Sequence, residues 1–173
     1  LDGVNDAKVY ENYTSSTDAN GTPAHCIWVV VDGGADSDIA NTIYGRKCPG
    51  TNMRGNITYT ITTPALTQFI ARWDNATSSP LYIKFNIQPA VSGVAFNQDA
   101  IKEYIETNLS YRIGEGAETA TITEVAQKAI ESVGGQGYAV NVLISADGNT
   151  WVEYLAPVIA TRFSVAGITI TEI

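Results

Sequence analysis

His25 and Cys26 are neighbours at the head of an apolar run, and a thiol beside an imidazole is the pairing that cysteine nucleophiles use. Successive residues of a strand point to opposite faces, so in the strand predicted here the two side chains diverge. His25 is the only histidine of the 173 residues. Neither Cys-x-x-Cys nor His-Glu-x-x-His occurs, which leaves zinc without a ligand set. The Gly-x-Ser-x-Gly turn of serine hydrolases is missing as well. His25 is therefore read as a structural residue near a strand start, and Cys26 and Cys48 as reduced structural thiols.

Gly33 and Gly34 stand between a strand and a helix, where a phosphate-binding loop would stand. Their spacing fits neither Gly-x-Gly-x-x-Gly nor Gly-x-x-x-x-Gly-Lys-[Ser/Thr], and Asp32, Asp36 and Asp38 around the turn would repel an anion. The glycines are read as a sharp turn that lets helix and strand pack closely. The three aspartates lack the regular oxygen spacing and distal glutamate of a calcium loop, and are read as helix-capping residues.

Glu103, Glu106, Glu115, Glu118 and Glu124 concentrate acid in the second half. Glu103 and Glu106 fall on the polar side of a helix and are read as solvated surface rather than a glycosidase pair. Trp28, Trp73 and Trp151 invite a sugar-stacking reading. Trp28 is placed in the core, and Trp73 and Trp151, near strand ends, at an interface. No catalytic, cofactor-binding or metal-binding residue is assigned, no cofactor is expected, and the chain is not read as an enzyme.

The elements that must carry these side chains follow from periodicity. Lys8–Tyr13 and His25–Val31 read as strands, the second apolar on both faces and so central and covered on both sides. A helix over about 36–47 puts Ile39, Ala40, Ile43 and Tyr44 on one stripe, and Pro49-Gly50 stops it. Asn56–Thr62 and Thr67–Trp73 form a hairpin. Residues 74–79 (DNATSS) read as a polar link between two domains, 1–77 and 78–173. Beyond it come a strand at Leu81–Gln88 and a helix over about 98–110 capped by Asn97, with Ala100, Ile101, Tyr104, Ile105 and Leu109 inward. A capping box at Thr121–Glu124 opens a third helix with Val125, Ala129, Ile130 and Val133 inward. Tyr138–Ala146 and Thr150–Leu155 read as a hairpin about Asp147-Gly148-Asn149, followed by strands at Thr161–Val165 and Ile168–Thr171. The expected class is α+β: two small α+β domains, each a mostly antiparallel sheet with one or two packed helices.

Composition limits the partners. At 45% apolar residues, a chain of this length buries roughly 70% of its unfolded surface without metals or disulfides. Ten Lys and Arg against 18 Asp and Glu give a net charge of −8, so nucleic acid and an anionic membrane surface are not expected partners. No run of 18 apolar residues is present to make a membrane-spanning helix. The five Asn-x-Ser/Thr sequons are what a chain rich in Asn and Thr carries by chance.

Residues 12–55 carry a longer pattern: Asn12, a loop with Asp18 and Gly21, then Pro23-x-His25-x-Ile27-x-Val29-Val30-Val31-x-Gly33-Gly34, Asp38-Ile39-Ala40, Ile43, Gly50 and Gly55. This resembles the baseplate J-like proteins of contractile-tailed bacteriophages. Phe69-x-Ala71-x-Trp73, Pro80-Leu81-Tyr82-Ile83, Ile113-Gly114-Glu115 and Tyr138–Ile144 extend the likeness over nearly the whole chain. Gly134-Gly135-Gln136-Gly137 stands where the family has a Pro-Gly-Val turn. The resemblance implies a virion structural protein, or a prophage-encoded copy, corresponding to the middle and C-terminal part of a longer one. It would be made in the host bacterial cytoplasm and built into the tail baseplate with other wedge proteins and copies of itself. No small-molecule substrate is implied, and the family has no catalytic residues to carry over. A carbohydrate- or receptor-binding module at a phage or cell surface is the alternative.

Overall fold

Two alternating sets of side chains fix the first sheet. Ile27, Val29 and Val31 leave one face of the strand Cys26–Gly33 (β2), and Cys26, Trp28 and Val30 leave the other. Both sets are apolar, so β2 has to lie inside a sheet. In the computed structural model, which describes all 173 residues, it does. Val4–Asn12 (β1) runs antiparallel along one side. The other side is shared. Asn52–Arg54 (β3) pairs in parallel with Cys26–Trp28, and Gln68–Asn75 (β5) pairs in parallel with Val30 and Val31. Ile57–Thr62 (β4) ends the sheet, antiparallel to β5. The helix Asp36–Arg46 (α1) buries Ile39, Ala40 and Ile43 against Val29 and Val31 of β2 and Ala71 and Trp73 of β5. Each large side chain buried there contributes about 1.5–3 kcal/mol. Tyr44 turns outward and tilts onto Phe69, with ring centres 5.1 Å apart.

Backbone contacts divide the chain into two compact units, Leu1–Thr77 and Ser78–Ile173. The class is α+β, with helices packed on small sheets. The first sheet is mixed, however, where a mostly antiparallel one is expected: two of its four pairings are parallel. The cause is β3. After α1 the chain returns beside β2 in the same direction, as a helical crossover requires. The expected polar link at 74–79 is also strand. β5 runs to Asn75, Ala76 donates its N–H to Val31 O at 2.8 Å, and Thr77–Pro89 (β6) begins at once.

In the second unit β6 is the spine. Leu81, Ile83, Phe85 and Ile87 point inward, each at most 1% exposed. Gly137–Ser145 (β8) is antiparallel to it, with a bulge between Lys84 and Asn86. Thr161–Glu172 (β10) lies on the other side, one continuous strand where two were expected. The Ser78 and Ser164 hydroxyls meet at 2.6 Å, and Ile173 N–H donates to Ile87 O. Both contacts have the same sequence offset, so β10 and β6 run parallel. Gln98–Asn108 (α2) and Thr119–Ser132 (α3) close the core with Ile101, Ile105, Ile122, Ala126, Ala129 and Ile130. Asn97 caps α2, accepting from Ala100 N–H at 3.2 Å.

The capping box expected at Thr121–Glu124 does not form. Ala117–Glu118 (β7) pairs with Tyr154–Leu155 (β9), which directs the chain into α3 three residues early. Thr121 is thus inside the helix, and Glu124 accepts from Lys128 Nζ at 2.6 Å instead. Ala129 and Ile130 are buried as expected, but the stripe continues through Ile122 and Ala126, and Val125 and Val133 are only partly buried. The hairpin strand expected at Thr150–Leu155 is reduced to a single bridge, Val152 to Ile144, plus β9. Tyr154 and Leu155 pair with β7 instead, and the turn before them belongs to Asp147. Its carboxylate accepts from Ser145 Oγ (2.8 Å), Asn149 N–H (2.8 Å) and Thr150 N–H (2.7 Å), closing a tight turn. Those donors hold the Asp147 carboxyl well below the usual range. No helix is long and apolar enough to cross a membrane.

Candidate interaction surface

The two faces of β2 are finished differently, and both belong to the first unit. On the face away from α1, Trp28 is buried without a helix over it. Its ring carries the Arg54 guanidinium at 3.9 Å on one side and tilts against Tyr10 at 5.3 Å. Both neighbours follow from register, because Tyr10 and Arg54 are the strand partners of Trp28. The indole N–H donates to Asp74 Oδ2 at 2.7 Å, and the other carboxylate oxygen accepts from Asn56 N–H at 2.8 Å.

The same guanidinium reaches the loop before β2. Arg54 Nη1 donates to Asn20 O at 2.7 Å and to Thr22 Oγ1 at 3.1 Å. Within the loop, Asp18 Oδ1 accepts from the N–H groups of Asn20 and Thr22. Asn12, only 3% exposed, works at its other end. Its amide donates to the carbonyls of Ser16, Thr22 and Pro23, and its oxygen accepts from Thr14 N–H and Oγ1. A loop of Ser, Thr, Asp, Asn and Gly is thereby held by polar contacts, most of them buried or partly buried and worth about 1 kcal/mol net each.

On the other face α1 packs over β4, β5 and part of β2 and leaves β1 bare. The result is a groove of about 320 Å³ between α1 and β1. Val4, Ala7 and Val9 form one wall, Ile27, Val29 and Val31 the floor, and Ile39 and Ile43 the other wall. Its only charged lining residues are Arg46 and Lys47, at the end of α1. Such a concavity takes aliphatic side chains, and its two cations suit a carboxylate beside them.

The residues singled out for chemistry do not converge. His25 is exposed, has a left-handed φ of 53°, and precedes β2 by one residue. Cys26 is buried, and desolvation pushes its thiol up against the opposing pull of Arg54, so it is a neutral thiol rather than a nucleophile. Cys48 is exposed, and both cysteines are free. Gly33 and Gly34 turn with φ of 77° and 91°, and a Cβ on Gly33 would strike the Gly3 carbonyl. Asp36 and Asp38 do not cap α1. The N-cap is Ala35 without a side-chain bond, which leaves the aspartates only their charge near the helix start. No three His, Cys, Asp or Glu side chains gather closely enough to hold a metal ion. Glu103 and Glu106 are exposed on α2.

Trp73, expected at an interface, is 0% exposed in the core of the first unit. It belongs to the cluster formed with Ile39, Ala40 and Ile43 of α1, and at Gly55 the chain between β3 and β4 lies on the Trp73 backbone, where a Cβ would collide. Trp151 is half-buried beneath the Lys84 ammonium, 4.2 Å from its ring. The residue sequence reasoning missed is Arg54. Its signal lay in the short Asn52-Met53-Arg54 segment, whose pairing with β2 no local pattern announces. No protein-family model and no curated protein matches the chain.

Proposed function

We propose that the chain is a structural subunit of a phage or prophage contractile-tail baseplate, working through assembly with neighbouring wedge proteins and with copies of itself. One observation carries the reading: an apolar groove left open beside α1, with cations at one end, in a protein whose net charge is −8. Open apolar surface in this form serves protein contact. The sequence likeness supplies the kind of assembly. Several residues that carry it (Asn12, Asp18 and Pro23) hold the loop before β2. On this reading the protein resides in the virion baseplate after synthesis in the host cytoplasm. It performs no catalysis and takes neither nucleic acid nor a small-molecule substrate.

The test is immunogold electron microscopy of tail particles from cells that encode the chain, using an antibody raised against it. Gold at the tail end is expected. Unlabelled particles, with the chain recovered free in the lysate, would overturn the reading. Glycan-array binding by the purified chain, in place of labelling, would favour the surface-receptor alternative.

A further inference from the structure

The two ends of the first sheet are built in opposite ways. β1 carries the devices that discourage pairing along an open edge. Its register breaks in a bulge between Val4 and Asp6, Lys8 and Glu11 put charge on it, and the Asp6 carboxylate accepts the N–H of Ala7 at 2.9 Å. β4, at the other end, has none of them. It contains no charge, proline, glycine or bulge, and its register with β5 is unbroken from Ile57 to Thr62. Its composition, Ile-Thr-Tyr-Thr-Ile-Thr, is that of a strand ready to pair.

Residues 57–61 also read identically in both directions, Ile-Thr-Tyr-Thr-Ile. A palindrome offers nothing to a foreign strand, but it is what an isologous contact between two copies calls for. A two-fold axis normal to the sheet, midway between the two Tyr59 residues, lays β4 antiparallel beside a second β4. Ile57 then meets the partner's Ile61, Thr58 the partner's Thr60, and Tyr59 its own equivalent. The operation keeps the faces aligned. Ile57, Tyr59 and Ile61 of both copies lie on the α1 side, where Ile57 and Ile61 already pack on the core. Tyr59, 37% exposed in the single chain, gains an aromatic partner. No charge repulsion arises at the seam, although the chain as a whole is acidic.

We propose that β4 is a homodimerisation edge, pairing with a second copy of this chain in the register centred on Tyr59. The proposal deepens the assembly reading above and rests on it for its biological use. Directly opposed residues of antiparallel strands have Cα atoms about 4.5–5.5 Å apart, within the roughly 4.4–6.8 Å span of a disulfide. In the full chain carrying Cys48→Ser, Tyr59→Cys should therefore form a covalent dimer under mild oxidation. Thr60→Cys alone should not, because residue 60 opposes residue 58. Mixing the Thr58→Cys and Thr60→Cys chains should give the mixed dimer. In sedimentation velocity, Tyr59→Lys should weaken self-association at least about tenfold by setting two cations face to face. Circular dichroism checks that this variant is folded, and if it is not, the cysteine variants decide alone.

A chain that stays monomeric at high concentration, with no cross-link at 59, overturns the proposal. So does equal cross-linking at 59 and 60, or a dimer that a folded Tyr59→Lys chain retains. Cross-linking at 59 by a chain missing from tail particles would refute the baseplate reading alone. The reverse result would refute the strand pairing alone.

Discussion

Arg54→Ala is the sharpest probe of the first unit. The guanidinium makes two hydrogen bonds, to Asn20 O at 2.7 Å and Thr22 Oγ1 at 3.1 Å, and covers the Trp28 ring at 3.9 Å. The group is only partly buried, so each hydrogen bond is worth about 1 kcal/mol net rather than its full strength. The ring contact adds about 0.5–1 kcal/mol. The change should therefore cost about 2–3 kcal/mol, and the loss should fall on the loop before β2. Because the chain comprises two compact units, a single unfolding midpoint would blur that loss. Amide hydrogen exchange resolves it: residues 14–25 should exchange roughly 30-fold faster or more, while the second unit is unchanged. Trp28 should report the same event as a red-shifted fluorescence component. Arg54→Lys should fall between, since an ammonium keeps the charge but cannot span the carbonyl, the hydroxyl and the ring together. If Arg54→Ala left exchange in the loop within threefold of the parent, the loop would be held by Asn12 and Asp18 alone. The role given to the guanidinium would then be wrong.

Two further changes test other joints. Gly55→Ala places a Cβ on the Trp73 backbone at a φ of +152°, so a loss of about 3 kcal/mol or more is expected in urea denaturation. A neutral result would mean that the connection between β3 and β4 can move aside. Tyr111 is buried edge-on to Phe163, its hydroxyl has no hydrogen-bond partner, and burial first, then Glu115 and Glu118, push its pKa up to about 12. Tyr111→Phe should stabilise the chain by about 1 kcal/mol near neutral pH by removing an unpaired polar group. The folded state holds the phenolic proton more tightly than the unfolded state, whose tyrosine titrates near 10. Parent stability should accordingly fall between about pH 10 and 12, and the gap to Tyr111→Phe should widen over that interval in denaturation curves. A gap independent of pH would refute the assignment.

What could be read from the sequence was whatever a segment says within its own period. The alternation of Leu81–Gln88 announced β6, and the three- and four-residue spacing of Ile101, Ile105 and Leu109 announced α2. What could not be read was decided by contacts from elsewhere in the chain. Thr121–Glu124 has a sound capping-box spelling, yet the pairing of Ala117–Glu118 with Tyr154–Leu155 starts α3 before it. Asp147-Gly148-Asn149 spells a hairpin turn, and the Asp147 carboxylate does close one, yet the pairing of Tyr154–Leu155 with Ala117–Glu118 leaves only one bridge behind it. Trp73 stands near a strand end, and only the packing of α1 and β2 around β5 puts it in the core.

β2 shows how far pattern reaches. Cys26–Val31 is apolar on both faces, which correctly demands two coverings, but the demand is silent about what they are. One is the expected helix, and it stops short of β1, so the covering is incomplete and a groove remains. The other is a cation and a phenol ring placed by strand register, because a three-residue strand sets Arg54 beside Trp28 while β1 sets Tyr10 on its other flank. A positively charged side chain can finish an apolar face only if its own hydrogen bonds are satisfied there. Here the satisfaction comes from Asn20 and Thr22. Core formation and loop order on this face are thus one event, and the candidate surface inherits its shape from both. A variant that released the loop without loosening Trp28 would show the two to be separable.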